Sequence, residues 1–347
     1  MKHLRLLLLP FSLIYASVAW VRNCLFDTGI LKKHQFDVPI ILVGNLSVGG
    51  TGKTPHVEYL IRLLQSRFKL ATLSRGYGRK STGCVMAGKG ATADLIGDEP
   101  MQYHTKFPGI TVAVCENRAQ GVNKILQLSN KPHVIVMDDG FQHRSVEPGF
   151  KVLLTSFDKL FTRDFVLPAG DLREPAFGYK RADCIVVTRT PGGISEKEKE
   201  KIRKELQPTS RQELYFSSLV YDDPVPCREE KPIRQEDLSQ MNVVLFTGIA
   251  NPAAMIHHLK RHCAGVQHLS FPDHHPFTEK DLQKVKAAAA DGQIVITTEK
   301  DYLRLKNTAA FEVIRELNCY YLPIRVKLDR EDEFNKTILN YISRYKP

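Results

Sequence analysis

Residues 44–54 read Gly-Asn-Leu-Ser-Val-Gly-Gly-Thr-Gly-Lys-Thr, and few folds accommodate such a segment. Ahead of it, Pro39 to Val43 is a short apolar run with adjacent isoleucines, the pattern of a strand buried on both faces. Behind it, Val57, Leu60, Ile61 and Leu64 recur at helical spacing. Strand, glycine loop, Lys-Thr and helix are the parts of a P-loop. The glycines let successive backbone N–H groups face a polyphosphate, and the helix N-terminus adds partial positive charge. The expected cradle is Ser47, Val48, Gly49, Gly50, Thr51, Gly52, Lys53 and Thr54. Lys53 would reach the β- and γ-phosphates of ATP, and Thr54 would offer its hydroxyl to Mg2+. Pro55 falls in the first helical turn, where a missing N–H costs nothing. The usual pattern has glycine where Ser47 stands. The competing reading is a glycine-rich turn with an incidental Lys-Thr; the flanking strand and amphipathic helix favour nucleotide binding.

The rest of the chain keeps the same rhythm. Strands are expected at Leu70 to Leu73, Thr111 to Cys115, Pro132 to Met137, Lys151 to Thr155 and Cys184 to Thr188, with helices between several of them. The predicted fold class is α/β: a P-loop NTPase-like parallel sheet flanked by helices, with a second, smaller α/β domain joined by a two-strand linker. The expected boundaries are 1–35 for an apolar membrane-associating segment, 36–213 for the nucleotide-binding domain, 214–327 for the second domain with its linker strands, and 328–347 for a closing helix that returns to the first domain. In the second domain the pattern gives strands at Leu214 to Tyr221, Val243 to Gly248, Gln293 to Thr298 and Tyr320 to Lys327. Asp138 and Asp139 end an apolar strand, where a P-loop enzyme holds Mg2+ directly or through water. The alternative for them is a helix-capping Asp beside a solvated one. Leu167 to Pro175 is too rich in Pro and Gly for a regular element; it is a loop carrying Arg173 and Glu174.

Composition narrows the partners. At 347 residues the chain is long for one core and comfortable for two domains. A net charge of +11 favours an anionic partner: nucleic acid, an acidic membrane surface or a phosphorylated substrate. The positive charge is dispersed and no aromatic-basic module occurs, which disfavours nucleic acid. Seven scattered cysteines with no CxxC pair argue against a disulfide framework or a zinc site, and for a reducing compartment. From Leu4 to Val21 the chain is apolar apart from Arg5 and small polar residues. Lys2, His3 and Arg5 resemble the start of a signal peptide, but no small-x-small cleavage site follows. Pro10 and basic flanks on both sides weaken a spanning helix. An interfacial helix with Tyr15 and Trp20 at the boundary fits better than a buried core helix.

The ordered segments GNLSVGGTGKTP, SRGYGR, GDEP, ENR, DDGFQH, LPAGDLREP, RADCIVVTR, FPDHHPF and TTEKD resemble the tetraacyldisaccharide 4'-kinase family of lipid A synthesis over nearly the whole chain. The resemblance implies transfer of the ATP γ-phosphate to the 4'-hydroxyl of an acylated glucosamine disaccharide 1-phosphate, with Mg2+. It further implies a peripheral position on the cytoplasmic face of the bacterial inner membrane; a monomer is expected. The Ser47 departure is compatible with it, because the family's loop has a polar residue there. It puts Lys53 and Thr54 on nucleotide and metal, and makes Asp138, Asp139 and Glu174 metal-side or site-organising acids. Asp98 matches the general base and His274 the histidine that assists it from the second domain. Arg75, Arg118, Gln142 and Arg173 become phosphate or sugar contacts.

Two other classes compete, with a GTPase switch weaker still. A membrane-associated partition ATPase would carry a lysine just before the paired glycines, where this chain has Val48. A GTPase would need an N-K-x-D signature, which neither Thr188-Arg189-Thr190 nor Glu299-Lys300-Asp301 supplies. A soluble small-molecule P-loop kinase would have no use for the N-terminal apolar segment.

Overall fold

A computed structural model of the protein describes residues 5–228, 232–289, 293–306 and 308–345. Lys2, His3 and the end of the alanine run at Ala290 lie outside the described residues. The chain divides into two compact units, Met1–Leu219 with Val326–Pro347, and Val220–Arg325.

The first unit is built on strands β1 (Ile40–Asn45), β2 (Leu70–Ser74), β3 (Val85–Met86), β4 (Thr111–Val114), β5 (Val134–Asp138), β6 (Phe150–Ser156), β7 (Cys184–Thr188) and β8 (Glu213–Tyr221). The second contributes β9 (Val225–Pro226), β10 (Asn242–Thr247), β11 (Gly265–Ser270), β12 (Ile294–Thr298) and β13 (Cys319–Leu322), and β14 (Ile324–Leu328) follows. The larger sheet has the order β14-β8-β7-β6-β1-β5-β2-β4-β3. From β8 through β4 neighbouring strands run parallel, and β3 pairs antiparallel with β4. β1 therefore lies inside the sheet between β5 and β6, and alternate residues serve opposite faces. Ile41 and Val43 join one core cluster, while Ile40 and Leu42 join the other. The helix Lys53–Leu64 closes the first of these, burying Val57, Leu60, Ile61 and Leu64 completely or nearly so. Each such side chain contributes about 1.5–3 kcal/mol of burial free energy. The closing helix Glu331–Ser343 packs on the same face through Phe334, Ile338, Tyr341 and Ile342.

The second unit is a five-stranded sheet of order β11-β10-β12-β13-β9, parallel except at β9. Its two faces are again separate clusters, Val244, Phe246 and Val295 on one and Val243, Leu245, Ile294 and Ile296 on the other.

Several expectations need correction. Tyr320 to Lys327 is two strands, not one, because Pro323 lacks the N–H that would carry pairing from one to the next. The strands expected to link the domains, β8 and β14, need no such correction: they are neighbours in the larger sheet, and the division between units falls inside both. Cys84 and Cys115 are disulfide-bonded, against the expectation of reduced cysteines. The antiparallel register Val85↔Val114 brings them together from 31 residues apart, a pairing invisible in their spacing. The remaining five cysteines are free.

The N-terminal helix Leu9–Asp27 buries only Ser12, Asn23 and Phe26. It is not a core helix: 11% of its most apolar window is buried. Phe11, Leu13, Ile14, Val18 and Trp20 are exposed. Its polar side is tied to the loop 168–174. Arg5 donates to Pro168 O, Gly170 O and Asp171; Ser12 Oγ accepts from Ala169 N, and Tyr15 donates to Arg173 O.

Candidate active site

Parallel register assembles the site. β1 and β5 are neighbours with Val43 opposite Asp138, and Asp139 N donates to Val43 O at 3.0 Å. The strand that launches the glycine loop thus ends beside the strand that ends in two aspartates, as expected for ligand binding at strand carboxyl ends. A glycine is needed at 44, where a Cβ would lie 2.7 Å from Phe141 Cβ in the turn after β5.

The loop itself is braced from three sides. Asn45 Nδ2 donates to Thr51 Oγ1 at 2.8 Å, and Thr188 Oγ1 donates to Thr51 O at 2.8 Å. The 168–174 loop pairs with its first half: Val48 N donates to Asp171 O, Arg173 N donates to Leu46 O, and Ser47 bridges Leu172. Beneath it His56 is buried, with Nδ1 2.7 Å from Gly52 O and Nε2 2.9 Å from Ser217 Oγ. A carbonyl can only accept, so Nδ1 carries the proton and Nε2 accepts from Ser217. Burial pushes the His56 pKa down to about 4, so the ring is neutral. Gly49 and Gly52 have positive φ, and Val48, Gly49 and Gly50 are exposed at the loop's crest.

Around the loop stand the charged groups. Lys53 Nζ lies 3.6 Å from Asp139 Oδ2, and Arg173 Nη1 donates to Asp139 Oδ1 at 2.9 Å. Burial raises the Asp139 pKa, but the Lys53 and Arg173 charges outweigh it and hold the group below its ordinary value. Asp139 adopts φ 50°, a left-handed conformation that aspartate tolerates and that recurs at functional sites. Asp138 is buried, and burial together with the Asp139 charge pushes its pKa up to about 7. Its Oδ2 accepts from Tyr103, whereas its Oδ1 is buried with no hydrogen-bond partner among the described residues. That orphaned oxygen, the adjacent Asp139 and the Thr54 hydroxyl fit a hard divalent cation such as Mg2+, which takes few protein ligands beside phosphate oxygens and water. Among the described residues no cluster of three or more His, Cys, Asp or Glu is arranged to hold a metal alone.

Asp98, half-buried, opens the helix Asp98–Lys106 directly after Gly97, whose φ is 93°. A Cβ at Gly97 would meet Tyr77 O at 3.0 Å, so the SRGYGR loop packs against the GDEP turn. Arg75 is exposed on that loop, and its charge acts on Arg118 and His143. His143, absent from the sequence expectations, is pushed down to about 4 by burial and by Arg118, Arg75 and Arg22.

Three expected contacts look different in three dimensions. Arg118, expected as a phosphate or sugar contact, is fully buried and donates to Cys115 O and Asp139 O. Burial pushes its pKa down to about 10, with the Asp138 and Asp139 charges opposing the shift. Glu174 is buried, and its two oxygens already accept from Arg181, Asn23 Nδ2 and Gln142 Nε2. Gln142 spends its amide on Asn45 O and Glu174, so it too is a link in this network. Arg181, Asn23 and Tyr103 take part in the site without having been expected there. Of these only Arg181, at the start of the RADCIVVTR segment, carries a sequence signal.

In the second unit His274 has φ 58°. Its Nδ1 is 2.7 Å from Arg304 Nη2 and its Nε2 is 3.3 Å from Lys300 Nζ. Arginine can only donate, so Nδ1 accepts there. Arg304 is in turn paired with buried Asp301.

This geometry has close relatives. The family model for tetraacyldisaccharide-1-P 4'-kinase matches residues 4–343. A tetraacyldisaccharide 4'-kinase of Flavobacterium psychrophilum is 45% identical over 99% of this chain and 98% of its own length. One of Bacteroides thetaiotaomicron is 42% identical over 96% and 92%, respectively. The crystal structure of LpxK from Aquifex aeolicus in complex with ATP superposes with a TM-score of 0.76 at 31% identity, covering 98% of this chain and 99% of that one. The α/β fold, the P-loop beside paired aspartates and these matches along the whole chain have one conclusion: the protein belongs to the tetraacyldisaccharide-1-P 4'-kinase family.

Proposed function

We infer that the protein transfers the γ-phosphate of ATP to the 4'-hydroxyl of tetraacyldisaccharide 1-phosphate, giving lipid IVA in lipid A biosynthesis. The observation that carries this reading is the register of β1 and β5, which sets Asp138 and Asp139 against a P-loop whose lysine already contacts the second of them. Family membership supplies the acceptor. Phosphoryl transfer asks little covalent chemistry of a protein: it needs positioning, charge neutralisation and a base. The backbone of residues 47–54 cradles the phosphates, and Lys53 exchanges Asp139 for the transferring group. Thr54, Asp138 and Asp139 would hold Mg2+, which would supply charge neutralisation to the transferring phosphate. Arg173 fixes Asp139, while Glu174, Gln142 and Arg118 keep the aspartate turn and loop 168–174 in place. Asp98 takes the proton of the sugar hydroxyl as the new P–O bond forms. Arg75 binds an anionic part of the acceptor.

The exposed apolar face of Leu9–Asp27 supports attachment to lipid on the cytoplasmic side of the inner membrane, with Arg22 and Lys32 as basic flanks. The test is phosphorylation of the acylated disaccharide 1-phosphate by purified protein with MgATP in mixed micelles. Formation of the bis-phosphorylated lipid, abolished in Asp98→Asn, is the expected result. ATP hydrolysis without lipid phosphorylation would refute the assignment.

A further inference from the structure

Two buried polar links fasten the helix Asp98–Lys106 to the nucleotide-binding elements. On one side Tyr103, with no exposed surface, donates its hydroxyl to Asp138 Oδ2 at 3.0 Å. On the other, Glu58 of the helix Lys53–Leu64 is 1% exposed. It accepts from Gln102 Nε2 at 2.6 Å and pairs with Lys106 Nζ at 2.9 Å and Arg62 Nη2 at 2.8 Å. A core position that required only volume would be filled as well by phenylalanine or leucine, because burying a hydroxyl or a carboxylate costs free energy. The polar atoms here fix orientation instead. One Asp138 oxygen faces Tyr103, and the other is the orphan left for a ligand. Asp98 begins the helix that carries Tyr103, about 7.5 Å along its axis at the usual rise per residue. So short a helix, pinned on two sides, moves as a body.

We propose that Tyr103 is a positioning residue: its hydroxyl couples the Asp138 carboxylate to the helix carrying Asp98, while Glu58 ties that helix to the P-loop helix. Filling the phosphate and cation site then sets the carboxylate that receives the sugar proton. The chemistry awaits the nucleotide because the base is held to the same aspartate that meets the cation. This rests on the role proposed for Asp98.

Tyr103→Phe removes one oxygen from a side chain that stays buried, and is the direct test. It is expected to lower kcat about tenfold, leave the KM for MgATP within about twofold, and shift Tm by no more than a few degrees. In the wild type, MgATP is expected to slow amide exchange across 98–106, and Tyr103→Phe should abolish that slowing without touching the exchange of β1. The double variant with Asp98→Asn should be no slower than Asp98→Asn alone, since Tyr103 acts through Asp98. Should Tyr103→Phe fold poorly, Glu58→Gln, which keeps the volume, is expected to give the same pattern. Wild-type kcat with intact MgATP-dependent protection in Tyr103→Phe, or fully additive losses in the double variant, would overturn the coupling. A wild-type rate in Asp98→Asn would instead overturn the base itself, so the two failures are distinguishable.

Discussion

At the scale of single residues the site is a set of opposed shifts. Asp138 is raised to about 7 while its neighbour Asp139 is lowered, so an ionised and a partly protonated carboxyl stand side by side. Lys53 touches the ionised one. Lys53→Ala should therefore leave the fold intact and lower turnover about a hundred- to a thousandfold, the usual cost of removing a preorganised charge from a transition state. Near-normal turnover with ATP saturation preserved would remove the P-loop lysine from the chemistry. His56 offers a test that needs no substrate. Its folded pKa is depressed to about 4, below the unfolded value of about 6.5. The unfolded chain binds the extra proton, so this contribution is complete above pH 6.5 and is lost as pH falls toward 4, at about 1.4 kcal/mol per unit. Asp138, raised in the folded state to about 7, contributes with the opposite sign throughout that window. The clean measurement is the difference between wild type and His56→Gln in thermal midpoint from pH 7.5 to 4.5. Wild type should lose more on acidification, and parallel curves would contradict the buried neutral ring.

At the scale of elements, what was legible in the chain and what was not divide by distance along it. β1, the glycine loop and Lys53–Leu64 form one continuous stretch whose pattern, turn chemistry and helix face all agree, so the nucleotide cradle could be read directly. β5 announces itself the same way, as an apolar run ending in acids. β3 has two residues, and β11 reads Gly-Val-Gln-His-Leu-Ser with mixed burial, so neither carries a periodic signal. The pairing of loop 168–174 with residues 46–48 joins segments more than a hundred residues apart, and no local pattern encodes it. Tyr103 is hidden for the same reason, being 35 residues from Asp138. The N-terminal helix shows how this matters for experiment. Because Arg5, Ser12 and Tyr15 hold loop 168–174, deleting the helix would disturb Arg173 as well as any contact with lipid. Serine at Leu13, Ile14 and Val18, which are 63–69% exposed, avoids that problem. The triple variant should keep its Tm within a few degrees, since exposed positions change stability little. It should lose sedimentation with anionic vesicles and most of its activity on lipid, while hydrolysis of ATP is retained. Unchanged vesicle binding would show that the apolar face has another purpose.

At the scale of the whole molecule, Asp98 belongs to the first unit and His274 to the second. Whether His274 assists Asp98 is decided by a double-mutant cycle. Asp98→Ala should lower kcat severely, His274→Ala less and with little change in the KM for ATP, and the pair barely more than Asp98→Ala alone. Additive losses would assign His274, with Arg304 and Lys300 beside it, to binding an anion instead. The outward apolar face of Leu9–Asp27 bears on how any such rate must be measured. A catalyst resting on a bilayer meets its lipid by diffusion in a plane, so velocity follows the mole fraction of substrate in the surface, not its concentration in the tube. Adding inert lipid at constant total substrate should slow the reaction, whereas diluting whole vesicles at constant composition should leave the turnover of bound enzyme unchanged. For an enzyme held on lipid through this face, the concentration that counts is two-dimensional.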